Sequence, residues 1–445
     1  MVEHRRAVRM AYWNGALWAI GNGLASSPLV LYLVMEYQVS GLGVGIGLVL
    51  AAPHLVGLLR LAVPLVMDRC GGRKPFCVAT CLLSGLALVG LPAAAAGGRL
   101  STGQSLAALL ALWCACQLLE YLSMIALWSW LADLVPRPVR GRFIGRRECW
   151  MAVGQAAAML ASGLFMWGWA RIHPDAPRWV GYAVTIVLGG GFVLAAAVPL
   201  ALMPAARERR HLDNSPRHPP GRPQRPPASL AAPAVPLVRG RFLRLLVIGC
   251  WISITNGLLQ SPQTIFPNRV LGLSVLAMLA LKVGLRLGQW PISPRLGKLT
   301  DRWGNRPVMA LSLLVVAQGP AFYFLATPRQ PWWIVGAWAC WIAWAGLNIA
   351  LPNLMLTLSP ARSNTPYIAT YFAVTGLCHG LSTILGGSLF DRYGGAACLC
   401  PAIPLDYYHA AFLLGWITWS LGAVLVLAVV REPPAGEGEG TGLGR

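Results

Sequence analysis

Among the ionisable side chains inside long apolar stretches of this chain, where charge is costly and therefore functional by default, Glu120, Lys282 and Arg286 stand out. Glu120 lies near the centre of one stretch, with Gln117 three residues earlier on the same helical face. Lys282 and Arg286 are four residues apart in another, so they share a face and repel one another unless an acid or an anionic ligand lies between them. Glu120 is the one acid the sequence places at comparable depth, and it is expected to pair with Lys282 or Arg286. Burial and a neighbouring cation act on a carboxyl proton in opposite directions, so such a pair can link protonation to ligand occupancy. A static interhelical salt bridge is the other reading these residues allow.

The elements that must position these groups are membrane helices. Hydrophobic residues make up 56% of the chain and charged ones 11%, with a mean hydropathy of +0.59. Soluble globular domains carry roughly a quarter charged residues. A spanning helix needs about 20 apolar residues, and the expected spans are 10–35, 41–66, 75–97, 104–131, 149–170 and 179–203, then 242–266, 272–294, 307–327, 331–358, 366–390 and 409–430. The chain is therefore expected to be all-α, with a six-helix bundle over 1–203 and a second over 242–431. The interval 204–241, dense in Pro and Arg, cannot bury enough apolar area to fold and is expected to be a flexible linker, as is the tail 432–445.

A net charge of +21 raises the question of nucleic acid, and the placement of the charges answers it. With Arg5, Arg6 and Arg9 holding the amino terminus inside, 27 of the 36 Lys and Arg residues fall in segments on that side. The positive charge is thus a topology signal with attraction to anionic lipid, and no nucleic-acid partner is expected. Both termini are expected in the cytoplasm, and the first span is read as a retained signal anchor. Thirty-three arginines against three lysines suggest a GC-rich bacterial genome and hence a bacterial cytoplasmic membrane.

A short charged phrase occurs twice. Asp68-Arg69-Cys70-Gly71-Gly72-Arg73 follows the second span, and Asp301-Arg302-Trp303-Gly304-Asn305-Arg306 follows the eighth. A second echo links Pro136, Phe143 and Ile144 after the fourth span to Pro360, Tyr367 and Ile368 after the tenth. A third copy, Asp391-Arg392-Tyr393-Gly394, ends the eleventh span on the opposite side. Duplicated halves containing inverted three-helix repeats are the build of many secondary transporters.

On these motifs the chain resembles the major facilitator superfamily over nearly its whole length. One departure is in the signature itself: its leading glycine is absent before Asp68, where Pro64 to Met67 stand, although Gly297 precedes Asp301. The proline-rich motif of drug:proton antiporters and the family's common arginine in the fourth span are also absent. The resemblance implies a carrier moving a small solute by alternating access, with a proton as the expected coupling ion. It places spans one, four, seven and ten around a central cavity, making Asn22, Asn256, Gln260 and Asn353 candidate lining residues beside Gln117 and Glu120. Asp68, Arg69, Gly71, Arg73, Asp301, Arg302, Gly304 and Arg306 then brace a cytoplasmic gate, the glycines permitting tight turns.

Asp133, Arg140 and Arg142, in a loop cluster with Arg137, Arg146, Arg147 and Glu148, are candidate latch partners; positive-inside anchoring is the plainer reading. Arg60 is expected to snorkel to the interface, and His54 and His379 to be hydrogen-bonded packing residues. No catalytic constellation accompanies either histidine, and no phosphate-binding loop occurs, so neither an enzyme nor an ATP-driven pump is expected. The eleven cysteines lack matching histidines at metal spacing, and no metal or cofactor is expected. A monomer is expected. The alternative function, a transport-inactive membrane sensor of the same fold, needs a folded cytoplasmic module that the linker does not offer.

Overall fold

The computed structural model describes residues 2–25, 51, 53–96, 102–176, 178–204, 240–359, 364–394 and 406–430. The expected linker and tail, save for residues 204, 240 and 241, and most of the first span's outer half and the second span's beginning lie outside the described residues. So do Cys398 and Cys400 of the last outer loop. Among the described residues the chain is helical, without a sheet.

In the first half the helices are α1 (Val2–Leu24), α2 (Val63–Arg69, preceded by the 3₁₀ segment Gly57–Ala62), α3 (Arg73–Ala96), α4 (Thr102–Leu134), α5 (Arg140–Ile172) and α6 (Arg178–Leu202). In the second half they are α7 (Gly240–Arg269), α8 (Val275–Trp303), α9 (Asn305–Leu325), α10 (Trp333–Leu358), α11 (Thr365–Tyr393) and α12 (Tyr407–Val429). Helix α10 is interrupted by a turn at Ile342 and Ala343. Nine helices of the described set are long and apolar enough to cross a membrane. Helix α8 spans 29 residues but carries Lys282 and Arg286 in its middle, which sets its composition apart.

Duplication is visible in which helices touch. In the first half α1 packs on α5 and α6, and α3 on α4 and α6. In the second half α7 packs on α11 and α12, and α9 on α10 and α12, the same arrangement six helices on. Cores follow the same division: one cluster draws on residues 11–203 with four additions from 349–369, and two more lie wholly within 242–430. The halves meet along two seams, α5 against α8 and α2 against α11, which are each other's counterparts under that repeat.

Both copies of the charged phrase form tight turns between consecutive helices. Gly71, Gly72 and Gly304 have φ of 78°, 106° and 90°, a region that side chains disfavour. Two helix lengths depart from expectation at this end, called here the basic end. Helix α5 begins at Arg140, nine residues before the expected span, and α8 runs to Trp303, nine beyond it. No proline lies between Arg140 and Cys149, and Gly141 and Gly145 are held by their packing on α8, so the apolar run and its charged prelude wind as one element. The expected loop cluster around Arg147 and Glu148 is therefore helix, and those two residues lie inside the seam.

Candidate functional site

At the basic end the α5/α8 seam is closed by direct backbone approach. The Gly145 Cα direction faces Ser293 O and Gly297 Cα, where an added Cβ would sit 2.5 and 3.0 Å away. Gly141 meets Gly297, Thr300 and Asp301 in the same way. Such small-residue contacts let membrane helices come close enough for main-chain van der Waals packing. Beside them Asp301 accepts the N–H of Gly141 at 2.9 Å and of Arg142 at 3.1 Å, and Arg142 Nε lies 3.4 Å from its carboxylate. The first turn of a helix has N–H groups without partners and a partial positive charge. An acid from the second half thus caps a helix of the first half. Burial holds the Asp301 carboxyl above its ordinary value of 3.8, against the opposing pull of these donors.

The remaining gate candidates divide. Arg73 pairs with Asp133 within the first half, and Arg306 donates to Leu427 O within the second. Arg140 turns inward to Ala132 O and Val135 O at 3.3 and 3.4 Å, binding its own half. Arg69 and Arg302 are exposed. Asp68 lies in α2, and its side chain falls outside the described residues. A crossing contact that the sequence did not suggest joins Ser129 Oγ of α4 to Asn364 Oδ1 and Thr365 Oγ1 at the start of α11, at 2.6 and 2.7 Å.

Deeper in the α5/α8 seam stands a polar group drawn from three helices. Glu148 of α5 bonds the Asn348 side chain of α10 and interacts electrostatically with Arg147 and with Arg286 of α8. Arg286 Nη1 donates to Gln289 Oε1 at 2.7 Å. Arg147, buried, packs against Gly15 of α1 and donates to Met151 Sδ at 3.1 Å. The acid that faces Arg286 is therefore Glu148. Glu120, expected in that role, instead lies beside the Trp18 indole of α1, and no ion pair joins it to Lys282 or Arg286. The reason lies in α5, whose early start carries Glu148 to the depth of Arg286.

The α2/α11 seam has other chemistry. Arg60 is 3% exposed, lies 3.5 Å above the Tyr121 ring and donates to Phe372 O of α11 at 2.8 Å. It ties the halves together, which corrects the expectation that it snorkels. His54 and His379 meet across this seam with ring centroids 4.1 Å apart. His379 is held by Ser253 O and Gln260 Oε1 at 3.2 and 2.9 Å, and Thr383 Oγ1 donates to the same Gln260 oxygen at 3.2 Å. Gln260 is thus engaged with His379. Asn353 donates to Asn305 Oδ1 at 2.8 Å and is 6% exposed, a bond between α10 and α9. Gln117 is buried beside Glu120 on α4, while Asn22 and Asn256 are half-buried on α1 and α7. No group of three potential metal ligands occurs among the described residues.

Two repeated six-helix bundles with buried charge between them define a polytopic membrane protein of transporter architecture. A family model described as Major Facilitator Superfamily matches residues 11–289, and the chain belongs to that family. Its fold is that of solved members. It superposes on the human organic anion transporter MFSD10 with a TM-score of 0.67 at 14% identity, covering 95% of this chain and 99% of that one. It is also similar to the proton:xylose symporter XylE (TM-score 0.66, 16% identity, 97% and 96% covered). The FucP transporter in its outward conformation gives 0.66 at 14% identity, with 96% and 100% covered. A comparison with curated protein sequences found no match.

Proposed function

We propose that this chain is a secondary carrier that moves a small solute by alternating access, coupled to protons. The observation that carries the reading is the Asp301 cap on α5. It is a breakable contact between the halves at one end of the seam that holds Arg147, Glu148 and Arg286 further in. An acid at a helix amino terminus is worth about 0.3 to 2 kcal/mol, the scale of a contact that can form and break in each cycle. The basic end faces the cytoplasm in this reading, with both termini inside a bacterial cytoplasmic membrane, and the carrier works as a monomer. Glu120, Gln117, Asn22, Asn256, Lys282 and Arg286, together with Glu148, line the path, and the two carboxylates carry the coupling proton. The proton symporters among the similar structures support coupling as the reading to test first.

Proteoliposomes loaded with a pH-sensitive dye supply the test. A solute that enters through the carrier acidifies the lumen, and the Glu148→Gln and Glu120→Gln proteins move solute without that proton signal or stop altogether. Wild-type acidification rates in both variants would remove these carboxylates from the coupling step.

A further inference from the structure

We propose that the solute bound in the α5/α8 seam is a small organic anion held by Lys282 and Arg286. This rests on the carrier reading above and adds to it a chemical class.

The argument begins with the charge between the halves. The described residues place four cations there, Arg60, Arg147, Lys282 and Arg286, against two carboxylates, Glu120 and Glu148. Arg60 donates to the Phe372 carbonyl and lies on the Tyr121 ring, and Glu120 lies beside the Trp18 indole of its own half. Glu148 is left to balance three cations, and no described carboxylate comes within ion-pairing distance of any of them. Lys282 has no hydrogen-bond or ion-pair partner among the described residues. Lys282 and Arg286 are half-buried, and a cation within a membrane helix without a counter-charge is disfavoured.

Helical geometry rules out lipid headgroups as the simple remedy. At 100° per residue, Lys282, Arg286 and Gln289 fall within about 60° of one another on α8. Ala280, Gly284, Leu287 and Pro291, all exposed, occupy the opposite side. Along the inward stripe Leu279 packs on Gly163 of α5, and Ser293 and Gly297 pack on Gly145. The cations therefore lie between two points of tight contact with the other half, turned away from lipid. Gln289, 3% exposed, takes one donor of Arg286 and fixes the plane of its fork, leaving other donors free. A planar fork and an ammonium one turn away, about 6 Å along the axis, match the oxygens of a carboxylate or phosphoryl group. A neutral sugar has no charge to offer this pair.

The test is a thermal-shift series on purified protein in zwitterionic nanodiscs at constant ionic strength. The probes are lactate, succinate and glycerol 3-phosphate, with xylose and choline as neutral and cationic comparisons. At least one anion is expected to stabilise the protein, with affinity falling tenfold or more in Lys282→Met and in Arg286→Gln. Lys282→Arg keeps the effect, as does Lys298→Gln on the exposed side of α8, which also shows that the fold tolerates substitution. Stabilisation by xylose or choline alone, no response to any anion, or an anion response undiminished in Lys282→Met overturns the proposal. So does a stabilisation that arises only when phosphatidylglycerol is added to the disc, since the anion is then a lipid headgroup. Anion binding without solute movement in proteoliposomes counts against the carrier reading and leaves the anion site standing. Movement of a neutral solute alone does the reverse.

Discussion

The two seams occupy equivalent places in a duplicated fold and are built from different chemistry. Where α2 meets α11, the contacts are an arginine on a main-chain carbonyl, the same arginine on an aromatic ring, and two imidazoles tilted at 58° to one another. The one cation there donates to a main-chain carbonyl and lies on a ring, and the seam contacts named above include no carboxylate. Where α5 meets α8, glycines bring the backbones together at one end, and further in Arg147 and Arg286 share one carboxylate while Lys282 has none among the described residues. The first seam is a joint whose one cation is held by protein groups, Phe372 O and the Tyr121 ring. The second is under-neutralised, so it has something to gain from one. Duplication fixed the framework, and divergence assigned the halves of the interface different work.

Substitutions at matched positions sharpen that contrast. The largest effect is expected from Glu148→Leu, which leaves Arg147 and Arg286 without their neighbouring carboxylate. Removing one partner of a buried charged group costs about 3 to 5 kcal/mol, and unfolding in denaturant should report a loss of that order. Within the first half, Glu120→Gln keeps an oxygen acceptor beside the Trp18 indole and should lose far less. Gly145→Ala comes next, since its Cβ meets Ser293 O at 2.5 Å and overpacking of this kind costs about 1 to 3 kcal/mol. Gly376→Ala on the α11 side finds its nearest atoms at 3.5 Å and should be tolerated. Equal thermal stability of the two alanine proteins would contradict the difference in packing.

Arg60→Lys should destabilise by roughly 1 kcal/mol, because an ammonium cannot both stack on Tyr121 and reach Phe372 O with a fixed fork. The smallest effect is electrostatic. Burial holds Asp301's carboxyl above 3.8, so the closed form binds that proton more tightly than an open form with a solvated carboxylate. Closure at the basic end therefore gains slightly as pH falls through this range and loses as pH rises. Labelling of an engineered thiol beside Gly141 should slow modestly on acidification in the wild type, and the Asp301→Asn protein should show no such dependence.

Most of the architecture was legible in the chain because lipid imposes a simple rule on length and polarity. The repeat of Asp, Arg and Gly at 68–71 and 301–304 announced the duplication, and the contact pattern of the helices reproduces it. Helix ends were the weak point. Placing a span's start at Cys149 left Arg147 and Glu148 in a loop, since charge was taken as the edge of the membrane segment. In the fold they are turned inward, where charge is permitted, and Glu148 displaced Glu120 as the neighbour of Arg286. The absence of proline from Arg140 to Cys149 was the available signal. Arg60 was misplaced for the same reason, its depth being read from distance along the chain instead of from the α11 carbonyl that receives it. Asn353 and Gln260 illustrate a further limit, because a polar residue in a span can serve a neighbouring helix as readily as a cavity.

The central claim is that the halves rock about the two seams, opening and closing the basic end in turn with the opposite end. Double electron–electron resonance on spin-labelled Arg137→Cys with Lys298→Cys follows the basic end, and Asp175→Cys with Arg269→Cys follows the other. The account predicts two distance populations for each pair, with the short population of one rising as that of the other falls when solute or pH is changed. A single unchanging distance at both ends, in protein that still moves solute, would contradict it.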